Sequence, residues 1–261
     1  MKTFEVRWFL IVLLFPAVAL ARPVDEGTEV RASGSGGRFF YEAGCASGPT
    51  HRYQADHAGL GASVHHRDGA LRGSVGVQSA GVEVTRGVTL GPASCVEDGA
   101  LNDPNCEKAT PPDIGTSDQQ TVVTGRIGFE TPYLGLEIGP ALIVGDRAGN
   151  VPMVLSLGTW FGLPELHGTF ELMPYHNREP GATARLGLGH SSEALRLGIG
   201  IDLTIPMLSQ QIDEIPLGKF TADAQMRVSD RLWIGAGIGF ADHTGGQLTD
   251  FSGQILLTFE L

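Results

Sequence analysis

The stretch ALRLGIGIDLTI at residues 194–205 puts an apolar side chain at every second position. Such a period of two predicts a β-strand with two unlike faces, because successive side chains of a strand point to opposite sides. In a soluble protein the apolar face is buried. In a barrel that spans a membrane, the apolar face contacts lipid and the other face lines the lumen. The fold therefore depends on which face of this strand points outward.

The same alternation recurs along the chain and predicts an all-β protein of about twelve antiparallel strands, within a range of about 10–14. Short spacers such as Asp68-Gly69 alternate with long ones such as residues 86–118. Short periplasmic turns, long extracellular loops and an even strand count are typical of a closed transmembrane β-barrel. The predicted strands are 27–42, 52–66, 70–85, 119–130, 133–145, 152–162, 165–175, 183–190, 194–205, 217–228, 231–242 and 250–261.

Glycine is frequent on the faces that are not apolar, for example Gly198 and Gly200. It weakens a solvent-exposed strand, but it fits the crowded interior of a closed, curved sheet. A soluble β-sandwich is the alternative, and it needs lysines or prolines to protect its edge strands. Beyond the first 21 residues, however, the only lysines are Lys108 and Lys219. Because a closed barrel has no edges, the sequence predicts that the apolar faces turn outward to lipid.

The first 21 residues have the features of a secretory signal peptide. Lys2 and Arg7 precede an apolar run, and Ala19-Leu20-Ala21 forms an A-x-A cleavage site. Residues 22–261 are predicted to form a single barrel domain, and no later apolar run reaches the roughly 18 residues that a transmembrane helix needs. The formal net charge of −11 makes nucleic acid a poor candidate partner.

The last predicted strand, FSGQILLTFEL, has apolar residues at alternate positions and an aromatic residue, Phe259, near its end. It resembles the closing strand of Gram-negative outer-membrane β-barrel proteins, although that family usually ends in Phe and this chain ends in Leu261. The resemblance implies a location in the bacterial outer membrane. It also implies outer-membrane lipids and the barrel-assembly machinery as partners. It implies neither a particular activity nor an oligomeric state.

The short turns predict which residues lie opposite each other, because paired side chains share a face. A turn at Asp68-Gly69 puts Ala62 opposite Val75. A turn at Thr131-Pro132 puts Arg126 opposite Glu137. The remaining three turns predict Ser156 opposite Glu171, Arg185 opposite Gly200, and Asp223 opposite Gly237.

The predicted inward face carries charges of both signs in nearly equal numbers. In one interpretation these residues line a weakly selective aqueous pore. In the other they form a salt-bridged interior that only stabilises the barrel, since unpaired buried charges are costly. The predicted pore-lining residues are Arg72, Arg126, Glu137, Glu171, Arg185, Arg196, Asp202, Asp223 and Arg227.

Three cysteines remain, and secreted proteins permit disulfides. Cys95 and Cys106 bracket a short stretch of the longest loop and are predicted to pair, with Cys45 left to pair with one of them or to stay reduced. No metal-binding pattern, phosphate-binding loop or Gly-x-Ser-x-Gly motif is found. His190 beside Ser191 and Ser192 is the nearest approach to a hydrolase cluster. Catalytic residues, cofactors and metals are therefore not expected.

Three functional classes follow from these patterns. A porin-like channel for small hydrophilic solutes is the favoured prediction, because inward charges opposite glycine, as predicted for Asp223 and Arg185, are best hydrated by a wet lumen. A structural or surface-interaction barrel with a filled lumen is the first alternative. An outer-membrane hydrolase is the second, and it would need a serine–histidine contact near the extracellular rim.

Overall fold

The computed structural model describes residues 22–44, 50–90, 117–145, 153–176, 180–206, 218–242 and 248–261. These residues form twelve β-strands. They are β1 (Gly27–Gly44), β2 (Thr50–Asp68), β3 (Leu71–Leu90), β4 (Ser117–Thr131), β5 (Leu134–Gly145), β6 (Met153–Leu163), β7 (Leu166–His176), β8 (Pro180–Ser191), β9 (Leu195–Pro206), β10 (Gly218–Ser229), β11 (Leu232–Asp242) and β12 (Leu248–Glu260).

The strands form one closed antiparallel barrel in which each strand pairs with its neighbours in the chain. The first and last strands complete the closure, with Glu29 opposite Glu260 and Tyr41 opposite Leu248. We call the end with the five short turns and both strand termini, near Glu29 and Glu260, the turn end, and the opposite end the loop end. The halves of the lumen next to them are the turn half and the loop half. The predicted strand count and order are confirmed.

The two faces of the barrel wall have opposite character. Large apolar side chains point outward and are exposed, and Ile127, Leu60 and Ile238 are more than two-thirds accessible. Arg, Glu, Asp and His side chains point inward and are buried. An apolar exterior around a polar interior is the arrangement of a transmembrane barrel, because lipid replaces water outside and every backbone group is paired within the closed sheet. No helix within the described ranges is long and apolar enough to cross a membrane.

Aromatic residues on the outward face lie near both ends of the apolar surface. Phe220, Phe240 and Phe251 follow one another across neighbouring strands toward the loop end. Phe129, Phe161 and Phe259 are exposed near the turn end. Two such girdles are typical of the membrane–water interfaces of outer-membrane barrels.

The register of four predicted hairpins is wrong by two residues. Ala62 pairs with Val77 rather than Val75, because the turn residues are Gly69 and Ala70 rather than Asp68 and Gly69. Gly69 has φ +58°, which favours glycine in this turn. The turns after β4, β6 and β8 are displaced in the same direction, by one residue each. The β10–β11 hairpin follows the prediction, with Asp223 opposite Gly237.

Candidate functional site

The nine predicted pore-lining residues all lie on the inward face of the barrel, at strand positions that alternate with exposed apolar residues. Eight of them take part in ion pairs that the structure describes, and Asp223 is the exception. All of these pairs belong to three groups in the turn half, and each group joins strands that are not all adjacent.

The first group joins β4, β7, β8 and β9 around Glu171. Arg126 Nη1 lies 2.9 Å from Glu171 Oε1, and Arg126 Nε donates to Ser156 Oγ at 3.0 Å. Arg185 lies 3.7 Å from Glu171 and binds Asp202 through both ends of its guanidinium, with Nη2–Oδ2 at 2.6 Å. Three predicted partners are therefore wrong. Arg126 binds Glu171 rather than Glu137. Arg185 lies opposite Asp202 rather than Gly200, and Glu171 lies opposite Gly158 rather than Ser156. Each guanidinium binds a carboxylate on another strand. The ion pairs of this group therefore link strands across the lumen.

The second group is centred on Glu130, which is not among the nine predicted residues. Arg72 contacts Glu130 and also lies 3.2 Å from Glu137, the residue that was predicted to face Arg126. Arg67 donates to Glu130 Oε1 at 2.9 Å. The indole of Trp160 lies 3.4 Å from Glu130 Oε2. Glu130 has the same strand parity as Arg126, so extending the alternation to the end of β4 would have found it.

The third group lies where the barrel closes. Glu29 contacts Arg22 and Arg31, and Arg196 lies 3.8 Å from it. Glu260 binds Arg196 at 2.6 Å and Arg227 at 3.2 Å, and it accepts a hydrogen bond from the Trp233 indole at 2.8 Å. The guanidinium of Arg196 also stacks over the Trp233 ring, 3.8 Å from its centroid.

Residues 22–26, which we call the N-terminal segment, lie outside the sheet and are bound by inward side chains. Arg67 Nη1 donates to the Val24 carbonyl at 2.9 Å, and Arg72 Nη1 donates to the Arg22 carbonyl at 2.8 Å. The Val24 N–H donates to Glu130 Oε1 at 3.3 Å. Val24 is only 3 % exposed. Desolvation lowers the pKa of the Arg22 guanidinium, and the nearby Glu29 opposes that change. Nothing in the sequence of these five residues indicates this position.

Asp223 differs from the other inward carboxylates. Its strand neighbours on both sides, Gly198 and Gly237, have no side chain to bind it. The structure shows no ion pair for Asp223 among the residues it describes. Seven other inward carboxylates each have a cationic partner: Glu29, Glu130, Glu137, Glu171, Asp202, Asp250 and Glu260. Asp223 lines a cavity in the turn half together with Arg22, Thr169 and Gln225.

The loop half has a different lining. One group of polar side chains is buried there, with Asp250 2.9 Å from His57 Nε2 and 2.7 Å from Lys219 Nζ. Across β2 to β5, small and branched apolar side chains point inward and are buried, and we call this set the apolar wall. It consists of Ala55, Ala80, Val82, Val84, Val122, Ala141 and Ile143.

Inward glycines make room for large inward side chains, as the sequence analysis inferred for a crowded interior. A Cβ on Gly135 would lie 2.1 Å from the Trp160 indole nitrogen. A Cβ on Gly189 would lie 2.3 Å from the His167 ring. Large side chains on one strand therefore occupy the space above glycines of the next strand. This arrangement fills the lumen of the turn half.

The structure offers little for the alternative of a hydrolase. Ser192 Oγ is used in the β8–β9 turn, where it accepts from Leu195 N–H and donates to Leu195 O at 3.1 and 3.0 Å. His190 is on the outward face. No cluster of three or more His, Cys, Asp or Glu is arranged to bind a metal among the residues described. Cys45, Cys95 and Cys106 lie outside the described residues, as does the predicted signal peptide.

No protein-family model matches the sequence, and no curated protein sequence matches it significantly. Solved structures do match. The COG4313 outer membrane channel from Pseudomonas putida F1 is 12% identical, covers 92% of this chain and 98% of its own, and superimposes with a TM-score of 0.56. A deletion mutant of the monoaromatic hydrocarbon channel TodX is 10% identical over 91% of both chains, with a TM-score of 0.50. These matches show that the chain shares its fold with outer-membrane channel barrels.

Proposed function

We propose that the protein is a narrow, porin-like channel for small hydrophilic solutes in the outer membrane of a Gram-negative bacterium. The observation that carries the proposal is the reversal of polarity across the wall: the exterior is apolar, and the interior has charges of both signs from Glu29 near the turn end to Asp250 near the loop end. Charged groups in such numbers require water or each other. Two solved structures whose fold this chain shares are channels.

The turn end faces the periplasm in this proposal, and lipids of the outer membrane cover the apolar exterior between the two aromatic girdles. The barrel-assembly machinery inserts the chain, with β12 as the closing strand. Positive and negative inward charges are nearly balanced, so ion selectivity is weak. We propose no cofactor and no catalytic role for the inward residues. The pairing of Cys95 with Cys106 remains a proposal, and alkylation of the unreduced protein tests it.

A filled barrel with a structural or surface-binding role is the second candidate. Its support is the deep burial of the turn-half ion pairs, since the side chains of Arg72 and Glu130 are each 1% exposed. A lumen wide enough for a column of water would leave such groups accessible. The two candidates therefore differ in whether solute passes between the ion-paired groups.

Conductance of the purified protein in planar bilayers decides between them, with solute-induced swelling of liposomes as a second measurement. A channel gives discrete conductance steps and swelling with small sugars or amino acids but not with larger ones. Heat-modifiable migration on gels first establishes that the barrel is folded. A folded protein with no conductance above that of protein-free bilayers would contradict the channel and leave the filled barrel.

A further inference from the structure

We propose that the N-terminal segment is a plug that narrows the turn half of the lumen and sets its charge selectivity by placing Arg22 in the same cavity as Asp223. The inference rests on the proposed channel function for its effect on conduction. Its structural part, occupation of the lumen by residues 22–26, is independent of that function and is tested separately below.

The segment lies in a site that the barrel builds for it. Arg67 on β2, Arg72 on β3 and Glu130 on β4 each bind a backbone atom of the segment. Buried backbone groups outside a sheet need partners, and here charged side chains of three strands supply them. A segment that only passed the barrel mouth would not leave Val24 3% exposed. The contacts therefore hold the segment inside the lumen.

The segment also changes the charge of the cavity. Arg22 and Asp223 both line it, and they attract each other electrostatically. Arg22 contacts Glu29 as well, but Glu29 keeps Arg31 and Arg196 when Arg22 is removed. Replacement of Arg22 therefore takes away one of the two cations that act on Asp223, and the other, Arg185, stays bound to Asp202. The cavity that results is more negative by the charge of Arg22.

The main experiment replaces residues 22–24 with glycine and serine in a segment of the same length, so that the acidic residues Asp25 and Glu26 and the rest of the full chain are unchanged. N-terminal sequencing confirms that processing occurs after Ala21, and heat-modifiable migration confirms folding. We expect a severalfold larger single-channel conductance. In a salt gradient, the reversal potential moves toward that of a cation-selective pore. Unchanged conductance and unchanged reversal potential would overturn the proposal.

Asp223→Asn supplies the matched control for charge. In the otherwise natural protein this variant removes one negative charge from the cavity and leaves Arg22 paired with Glu29, so the reversal potential moves toward anion selectivity with little change in conductance. Combined with the replaced segment, it removes the cation selectivity and keeps the larger conductance. If Asp223→Asn has the same effect with and without the segment, Arg22 does not act on Asp223 and the selectivity part is wrong.

Tryptophan fluorescence tests occupation of the lumen without any conduction. The only tryptophans beyond the predicted signal peptide are Trp160 and Trp233, and both point inward with 1% and 2% exposure. The Trp160 indole and the Val24 N–H both donate to the carboxylate of Glu130. Replacing the segment should raise quenching by aqueous acrylamide severalfold, and Trp233→Phe leaves Trp160 as the sole reporter. Increased quenching with no conductance in either protein would support the plug and contradict the channel; unchanged quenching would refute the plug.

Discussion

The turn half and the loop half of the lumen are lined in different ways within one continuous barrel. In the turn half, arginines and carboxylates from nearly every strand form three ion-paired groups, and two of these groups each contact a buried tryptophan. In the loop half, the inward side of β2 to β5 is the apolar wall, and the main ion-paired group is His57, Asp250 and Lys219. The first half resembles a polar core, and the second resembles the interior of a soluble β-barrel.

Strand β3 shows where the difference originates. Near the turn end its outward residues are apolar, Val75 and Val77 among them, while Arg72 points inward. Near the loop end the outward residue Glu83 is charged and the inward residues Val82 and Val84 are apolar. The direction of alternation is constant, but the polarity of the faces reverses. A strand that rises beyond the bilayer meets water outside, so its apolar side chains are best buried inside.

The largest expected effect is in the turn half. Glu171→Gln removes the carboxylate that serves both Arg126 and Arg185. Removing one partner of a buried ion pair typically lowers the free energy of unfolding by about 3–5 kcal/mol, because the remaining charge keeps its desolvation penalty. Urea unfolding in phospholipid vesicles measures the loss. Asp223→Asn is the control, since it makes the same chemical change at a carboxylate without an ion pair and should cost less than about 1 kcal/mol. Equal losses would mean that the turn half is hydrated throughout.

An intermediate effect is expected on the outward face of β3. Val77→Lys places a charge in the apolar belt and should cost about 2–4 kcal/mol near the bilayer midplane. Glu83→Lys, on the same face toward the loop end, should change stability by no more than about 0.5 kcal/mol because that position meets water. The same unfolding assay and the fraction of heat-resistant barrel compare the two. Similar behaviour of both variants would show that the polarity reversal does not mark the edge of the bilayer.

The smallest effect is expected at the apolar wall. Val122→Thr keeps the shape of the side chain but buries a hydroxyl, which costs about 1–2 kcal/mol at a site without water. Thr124→Val, at the next inward position of β4, makes the opposite change and should not destabilise. If Val122→Thr has no effect on the free energy of unfolding, the loop half is filled with water. The two halves would then differ only in the number of charged side chains that line them.

Strand positions and the facing of side chains could be predicted from the sequence, because both depend only on a period of two. The registers could not be fixed as well. Moving a turn by one residue, as from Thr131-Pro132 to Pro132-Tyr133, changes every pairing by two residues. Parity is unchanged, so each side chain keeps its face and only its partner changes. For that reason Arg126 was correctly placed in the lumen and wrongly paired with Glu137.

Two features of the lumen lay beyond sequence reasoning for a different reason. The ion pair of Arg126 with Glu171 crosses from β4 to β7, and such contacts depend on how side chains of five or more atoms lie across a curved interior. The N-terminal segment has no alternation at all, so nothing in residues 22–26 indicated a place inside the barrel. Its position is set by side chains up to 106 residues away in the chain, as in the contact of Val24 with Glu130.

The pairing of β1 with β12 has a consequence for how the protein is made. This ladder joins residues separated by nearly the whole chain, such as Glu29 and Glu260, and Leu261 N–H donates to Thr28 O at 2.8 Å. Until β12 has been delivered, β1 and the newest strand present unpaired edges that favour aggregation. Contacts of such long sequence separation also form slowly. Closure of the wall therefore waits for the last strand of the chain, and the chain is most prone to aggregation in the interval before β1 and β12 pair.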